Sequence, residues 1–237
     1  MRLTKFTDLH VFPKVDDVES SRKMAESIRV AGYRSVALSL PTGLLNDQAR
    51  AVKECFEKAG LATYSRIDLV CANRHELLRL LRRFRNQYDV VSVRCANQNV
   101  TTVACRDRRV DVVFFDQNRN IKFTHTLANL LNGALEFNLS FLLHRESLET
   151  INRAIRQTAI ARDHKIKIIL SSGCTSSIMV RNPLQIRAVG ITLGLTDSEA
   201  TDAISSIPHS ILQSNSERRS SFYIEEGVRI IKDKRSR

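Results

Sequence analysis

Short β-branched or apolar runs alternate with segments of helical periodicity along almost the whole chain, and this alternation constrains the fold more than any other feature of the sequence. Strands separated by helix-length segments cannot join as hairpins; they pair in parallel, with the helices covering the sheet. The runs that read as strands are 3–10, 35–40, 62–69, 90–94, 110–115, 134–139 and 167–171. Between them lie apolar stripes at three- and four-residue spacing: Met24, Ile28 and Ala31; Ala49, Val52, Phe56 and Ala59; Leu77, Leu80, Leu81 and Phe84; Leu148, Ile151, Ile155 and Ala159. The expected fold is therefore α/β and TIM-barrel-like, with seven clear strands and an eighth that is short, missing or displaced.

Helix starts are legible in places. Asp16 precedes Glu19 and Thr196 precedes Glu199 at capping-box spacing, and Asn182-Pro183 reads as an N-cap followed by a first-turn proline. Beyond Thr196, Ala200, Ala203, Ile204 and Ile207 form a further stripe, for which Pro208 is the expected stop. We expect one barrel domain over 1–212 and a basic extension over 213–237.

The chain carries 37 Lys and Arg against 25 Asp and Glu, a net +12, so an acidic partner is expected. The cations are mostly Arg, whose planar fork binds phosphate through two hydrogen bonds and stacks on bases. They are also unevenly placed. Arg74–Arg109 holds nine Arg against three acids, and Arg218–Arg237 holds seven cations against three acids. No run approaches the roughly 18 apolar residues that a membrane helix needs, and no signal-peptide pattern opens the chain, so a cytoplasmic protein without membrane contact is expected. The five Cys show no CxxC spacing and read as small core residues. The absence of both GxGxxG and a GK-[ST] loop excludes the Gly-rich phosphate cradles.

In a barrel the loops after the strands gather on one face, where sites form. Asp8, His10, Arg94, Asp116, Lys122, His125, His144, Ser171, Ser172 and Arg181 fall there. Two readings follow. Asp8, His10, Asp116 and His144 could hold a divalent ion that activates water, with the Asp-x-His period placing two ligands on one strand face. Alternatively Arg94, Lys122 and Arg181, flanked by the Arg74–Arg85 helix and by Arg106, Arg108 and Arg109, form a phosphate-binding surface, with Asp8 or Asp111 as internal counter-charges. There is no Trp, and Phe114, Phe115 and Phe141 read as core residues, so no base-stacking platform is visible and RNA would be bound by shape and phosphate geometry.

Thr7-Asp8-Leu9-His10, Arg109-Val110-Asp111-Val112-Val113, Ser171-Ser172-Gly173, Met179-Val180-Arg181-Asn182-Pro183 and the helical pair over 190–203 together resemble the thirty-kilodalton protein subunit family of ribonuclease P, called protein component three in archaea. The resemblance runs over about residues 1–212. It implies a barrel related to the polymerase and histidinol phosphatase (PHP) metal-hydrolase group. It also implies a subunit that helps a catalytic RNA remove the 5′ leader of precursor tRNA, alongside other protein subunits. No cofactor would reside in the protein, because the RNA supplies the chemistry through its own magnesium. PHP enzymes carry His-x-His where this chain has Asp8-Leu9-His10, which weakens the metal-hydrolase alternative. Carried onto this chain, the resemblance makes Arg94, Arg109, Lys122 and Arg181 the RNA-binding cations, with Asp8 and Asp111 as structural partners.

Overall fold

A computed structural model describes residues 5–41, 46–115, 121–143 and 148–219, and the backbone of 223–225 and 228–229. Its strands are β1 (Phe6–Val11), β2 (Tyr33–Ser39), β3 (Ala62–Leu69), β4 (Val90–Arg94), β5 (Val112–Phe114), β6 (Ala134–Asn138) and β7 (Ile168–Ser171). They form one sheet in sequential order, every neighbouring pair parallel. Around it run α1 (Val18–Ala31), α2 (Asn46–Lys58), α3 (Arg74–Phe84), α4 (Gln98–Arg106), α5 (His125–Leu130), α6 (Leu139–Leu143), α7 (Leu148–Asp163), α8 (Pro183–Thr192), α9 (Asp197–Asp202) and α10 (Ser206–Arg218). A short antiparallel hairpin, β8 (Tyr223–Glu225) and β9 (Val228–Arg229), follows.

Closure of the barrel shows what stands in place of an eighth sheet strand among the described residues. β1 and β7 approach at one end through a single parallel bridge, Val11 with Cys174, and Phe12 N–H donates to the Cys174 carbonyl at 2.9 Å. At the other end the α9–α10 junction lies between them: Thr7 N–H donates to the Ile204 carbonyl at 2.9 Å and Leu170 N–H to that of Ala203 at 3.1 Å. Two carbonyls thus satisfy edge amides that an eighth strand would otherwise pair.

The helix boundaries follow local chemistry. Asn182 and Thr196 head full capping boxes with Gln185 and Glu199. The N-cap of α1 is Asp17, which accepts from Ser20 N–H, in place of the expected Asp16. Pro208 does not stop a helix. It stands in the first turn of α10, where a backbone N–H has no intrahelical partner and a proline therefore costs nothing. α10 continues through the boundary expected at 212/213 as far as Arg218.

The strands are apolar toward their N-terminal ends and polar above. Leu9, Ala37, Val90, Val112, Ala134 and Ile169 form a buried layer inside the barrel, and Leu212 of α10 closes it from below. The helix-facing side of the sheet carries the larger cluster, including Val36, Ile67, Val93, Val113, Leu135 and Leu170 packed with Met24, Phe56, Leu77 and Leu81. Four of the five cysteines are buried, and none is in a disulfide.

Candidate functional site

One step up each strand from the apolar layer, alternate residues turn polar: Ser39, Arg66, Asp68, Ser92, Glu136 and Asn138. Arg66 is wholly buried and lies at the centre of this layer. Its guanidinium meets Glu136 through two hydrogen bonds, Nη1 to Oε1 at 3.0 Å and Nη2 to Oε2 at 2.6 Å, and reaches Asp68 Oδ1 from Nε at 2.8 Å. The Leu9 carbonyl accepts from Nη1 at 2.9 Å and Ser92 Oγ from Nη2 at 3.2 Å. The planar fork fits this set of acceptors as a lysine could not.

His10 completes the layer because β1 is bulged. Asp8 pairs with Val36 but Val11 already pairs with Leu38, so two residues, Leu9 and His10, stand against Ala37. Leu9 joins the apolar layer, and His10 reaches Glu136 Oε1 from Nδ1 at 3.2 Å and Asp68 Oδ2 from Nε2 at 3.1 Å. The Asn138 side chain also lies 3.1 Å from His10 Nδ1. Burial and the Arg66 charge lower the affinity of His10 for its proton, but Glu136 and Asp68 outweigh them, so its pKa is raised above 6.5. Burial alone would raise both carboxyls; Arg66 and His10 reverse that, bringing Glu136 down to about 2 and Asp68 well below its ordinary value. When His10 is protonated, two cations and two anions neutralise one another inside the barrel.

Of the expected metal ligands, Asp8 and His10 are described, and their side chains have different partners. The Asp8 carboxyl Oδ1 accepts from Ser172 N–H at 3.2 Å and from the backbone N–H of His10 at 3.1 Å, whereas the His10 ring reaches Glu136 and Asp68. The bulge breaks the period of two on which a shared face depended. Asp116 and His144 lie outside the described residues. Both ring nitrogens of His10 are already engaged, and a guanidinium occupies the space between the carboxylates. The donor set thus does not fit the divalent ion of a PHP-type hydrolase. No group of three or more His, Cys, Asp or Glu able to hold a metal occurs among the described residues.

The four expected RNA-binding cations divide between the two ends of the barrel. Arg94 ends β4, Lys122 is exposed between β5 and α5, and Arg181 follows β7, so these three belong to the end where the strands finish. Arg109 precedes β5, in the turn that returns the chain to the start of the next parallel strand, and so belongs to the opposite end. It is tied to Asp107, with Nη2 to Oδ2 at 2.6 Å. Asp111, expected as a counter-charge for such a cation, instead accepts from Arg85 Nη1 at 2.5 Å and from Val91 N–H at 2.8 Å. Asp8, the other expected counter-charge, has no Arg or Lys ion pair among the described residues. Arg181 donates to the backbone carbonyls of Ile178 and Val180.

Arg66, Asp68 and Glu136 were not among the sequence candidates. The signal was present: a strand reading Ala-Leu-Glu-Phe-Asn, and an Arg-x-Asp two residues apart in the next-but-two strand, put charge on an inward face. A reading confined to polar residues at and after the strand C-terminal ends does not reach these inward-facing positions of β3 and β6.

A parallel barrel with a charge-neutral polar interior and basic outer turns defines a TIM-like barrel protein, and this architecture has a solved counterpart. A chain in the cryo-EM structure of archaeal ribonuclease P with mature tRNA superposes with a TM-score of 0.81 over 96% of this chain and 100% of that one, at 18% identity. The model of the RNase P subunit p30 family matches residues 5–220, and the chain belongs to that family. Ribonuclease P protein component 3 of Methanosarcina acetivorans is 26% identical over 234 residues, covering 96% of both chains. That of Methanothermobacter thermautotrophicus is 28% identical over 241 residues, covering 97% of this chain and 96% of its own. A Dictyostelium discoideum subunit, drpp30, is 23% identical over 75% of this chain and 51% of its own length.

Proposed function

We propose that the chain is a protein subunit of ribonuclease P that binds the catalytic RNA and favours its active form, together with other protein subunits, in the removal of the 5′ leader from precursor tRNA. Family membership over residues 5–220 carries this reading. The barrel interior supports it, since the groups that could serve hydrolysis, His10, Asp68 and Glu136, are bound to one another through Arg66. Chemistry then falls to the RNA and its magnesium, and the protein contributes shape and positive charge. Arg94, Lys122 and Arg181 are the cations of this role at the strand C-terminal end, with Arg109 at the opposite end. No described helix is long and apolar enough to cross a membrane, and work on tRNA precursors suits a cytoplasmic location. Affinity purification of the tagged chain from its own cells, followed by sequencing of the bound RNA, tests the proposal. Enrichment of the ribonuclease P RNA supports it, and purification free of that RNA opposes it.

A further inference from the structure

The N-terminal end of the barrel holds a cleft that the sequence did not mark. It has a volume of about 320 Å³ and lies between α10 and the turns that lead into β5, β6 and β7. Arg108 comes from the first of these turns, Lys167 from the third and Arg218 from the last turn of α10, and all three are exposed. None has an ion-pair partner among the described residues. This contrasts with Arg22, Arg50 and Lys58 on α1 and α2, each beside a glutamate of its own helix.

The carboxylate that lines the cleft is already paired. Asp111, the carboxylate lining the cleft, is neutralised by Arg85, and Asp89 nearby is held by Arg219 and by the Ser65 N–H and hydroxyl. The Asn132 and Asn215 amides, which also line the cleft, donate to backbone carbonyls and brace its walls without adding charge. Three like charges from separate elements thus line one concave surface whose only lining carboxylate is already paired with Arg85. Such an arrangement costs repulsion unless an anion lies between them.

We propose that this cleft takes the sugar-phosphate backbone of the ribonuclease P RNA, with Arg108, Lys167 and Arg218 each neutralising a phosphate. The proposal rests on the subunit reading above and adds a contact surface opposite the end where the strands finish. The absence of an aromatic side chain from the lining suits a backbone contact rather than base recognition. The chain's own C-terminal segment does not suit the cleft, because residues 219–237 carry six cations against three acids and would be repelled.

The test measures binding of the full chain to its ribonuclease P RNA, in the presence of its protein partners, across a potassium chloride series. Each lost phosphate contact lowers the slope of log affinity against log salt by about 0.9, the value for a B-form duplex. Arg108→Ala, Lys167→Ala and Arg218→Ala combined then flatten the slope by about 2.7, so that the loss of affinity between about 50 and about 200 mM salt shrinks about 40-fold. A charge-matched control, Arg22→Ala with Arg50→Ala and Lys58→Ala, keeps the wild-type slope. Equal flattening by the control, or no change in the cleft variant while wild type binds, overturns the cleft proposal alone. Failure of the wild-type complex to bind the RNA overturns the subunit reading with it. A parallel titration with inorganic phosphate separates the remaining source: phosphate bound at the cleft, with RNA binding indifferent to the cleft variant, identifies a free-anion site and rejects the RNA contact.

Discussion

Replacing Arg66 with Met tests the physical account of the barrel interior. The methionine fills most of the space but removes five hydrogen bonds and the positive charge that faces Glu136 and Asp68. Breaking a buried ion pair from one side costs about 3–5 kcal/mol, because the remaining charge has neither partner nor water. At about 2–4 °C per kcal/mol for a chain of this size, the melting temperature falls by about 6–20 °C. The pH dependence adds a sign. In the wild type, Glu136 has its pKa lowered from 4.5 to about 2, so its stabilisation, about 3 kcal/mol, is present above 4.5 and lost as the pH falls toward 2. In the variant only His10 opposes burial, so the same carboxyl titrates at a higher pH than in the wild type, and acid relieves part of the strain. The stability difference between wild type and variant, from urea unfolding, therefore shrinks as the pH falls from about 6 to about 4. Adding Asp68→Asn and Glu136→Gln to Arg66→Met recovers part of the loss. A loss under about 1 kcal/mol that does not vary with pH would refute the claim that the network is dry and charge-balanced.

Three further outcomes follow from the same geometry. The His10 imidazole, followed by NMR, titrates above 6.5, so its contribution to stability is complete below 6.5 and is lost as the pH rises through its folded value; a midpoint below 6.5 contradicts this. Gly173 has φ +62°, and a Cβ there would fall within 2.5 Å of three atoms of the Asn138 side chain. Gly173→Ala therefore costs at least about 1–2 kcal/mol in urea unfolding, and a neutral substitution would show that Asn138 moves freely. Leu212→Ala opens a cavity beneath the apolar layer and costs about 2–5 kcal/mol by the same assay, whereas a cost near zero would mean that α10 does not close the barrel.

The strand and helix alternation was legible because each element buries one face, and burial writes its period into the sequence. All seven expected strands are present, with ends shifted by a few residues. Tertiary context hid the rest. The bulge at Leu9 and His10 is set by pairing with β2, so no reading of Asp8-Leu9-His10 by itself could separate the two side chains. Pro208 is compatible with either a helix stop or a first turn, and the choice depends on Leu212 finding the barrel floor. Arg66 and Glu136 are 70 residues apart, and only the closure of the barrel brings them together. Likewise Arg108 and Arg109 are adjacent in sequence, but Arg109 is tied to Asp107 while Arg108 lines the cleft.

The central claim, that the chain acts through a catalytic RNA, is tested most directly by cleavage of precursor tRNA in a holoenzyme reconstituted with and without it at limiting magnesium. The account predicts that adding the chain accelerates removal of the 5′ leader and lowers the magnesium required. Identical cleavage rates across the magnesium series, with and without the chain, would contradict it.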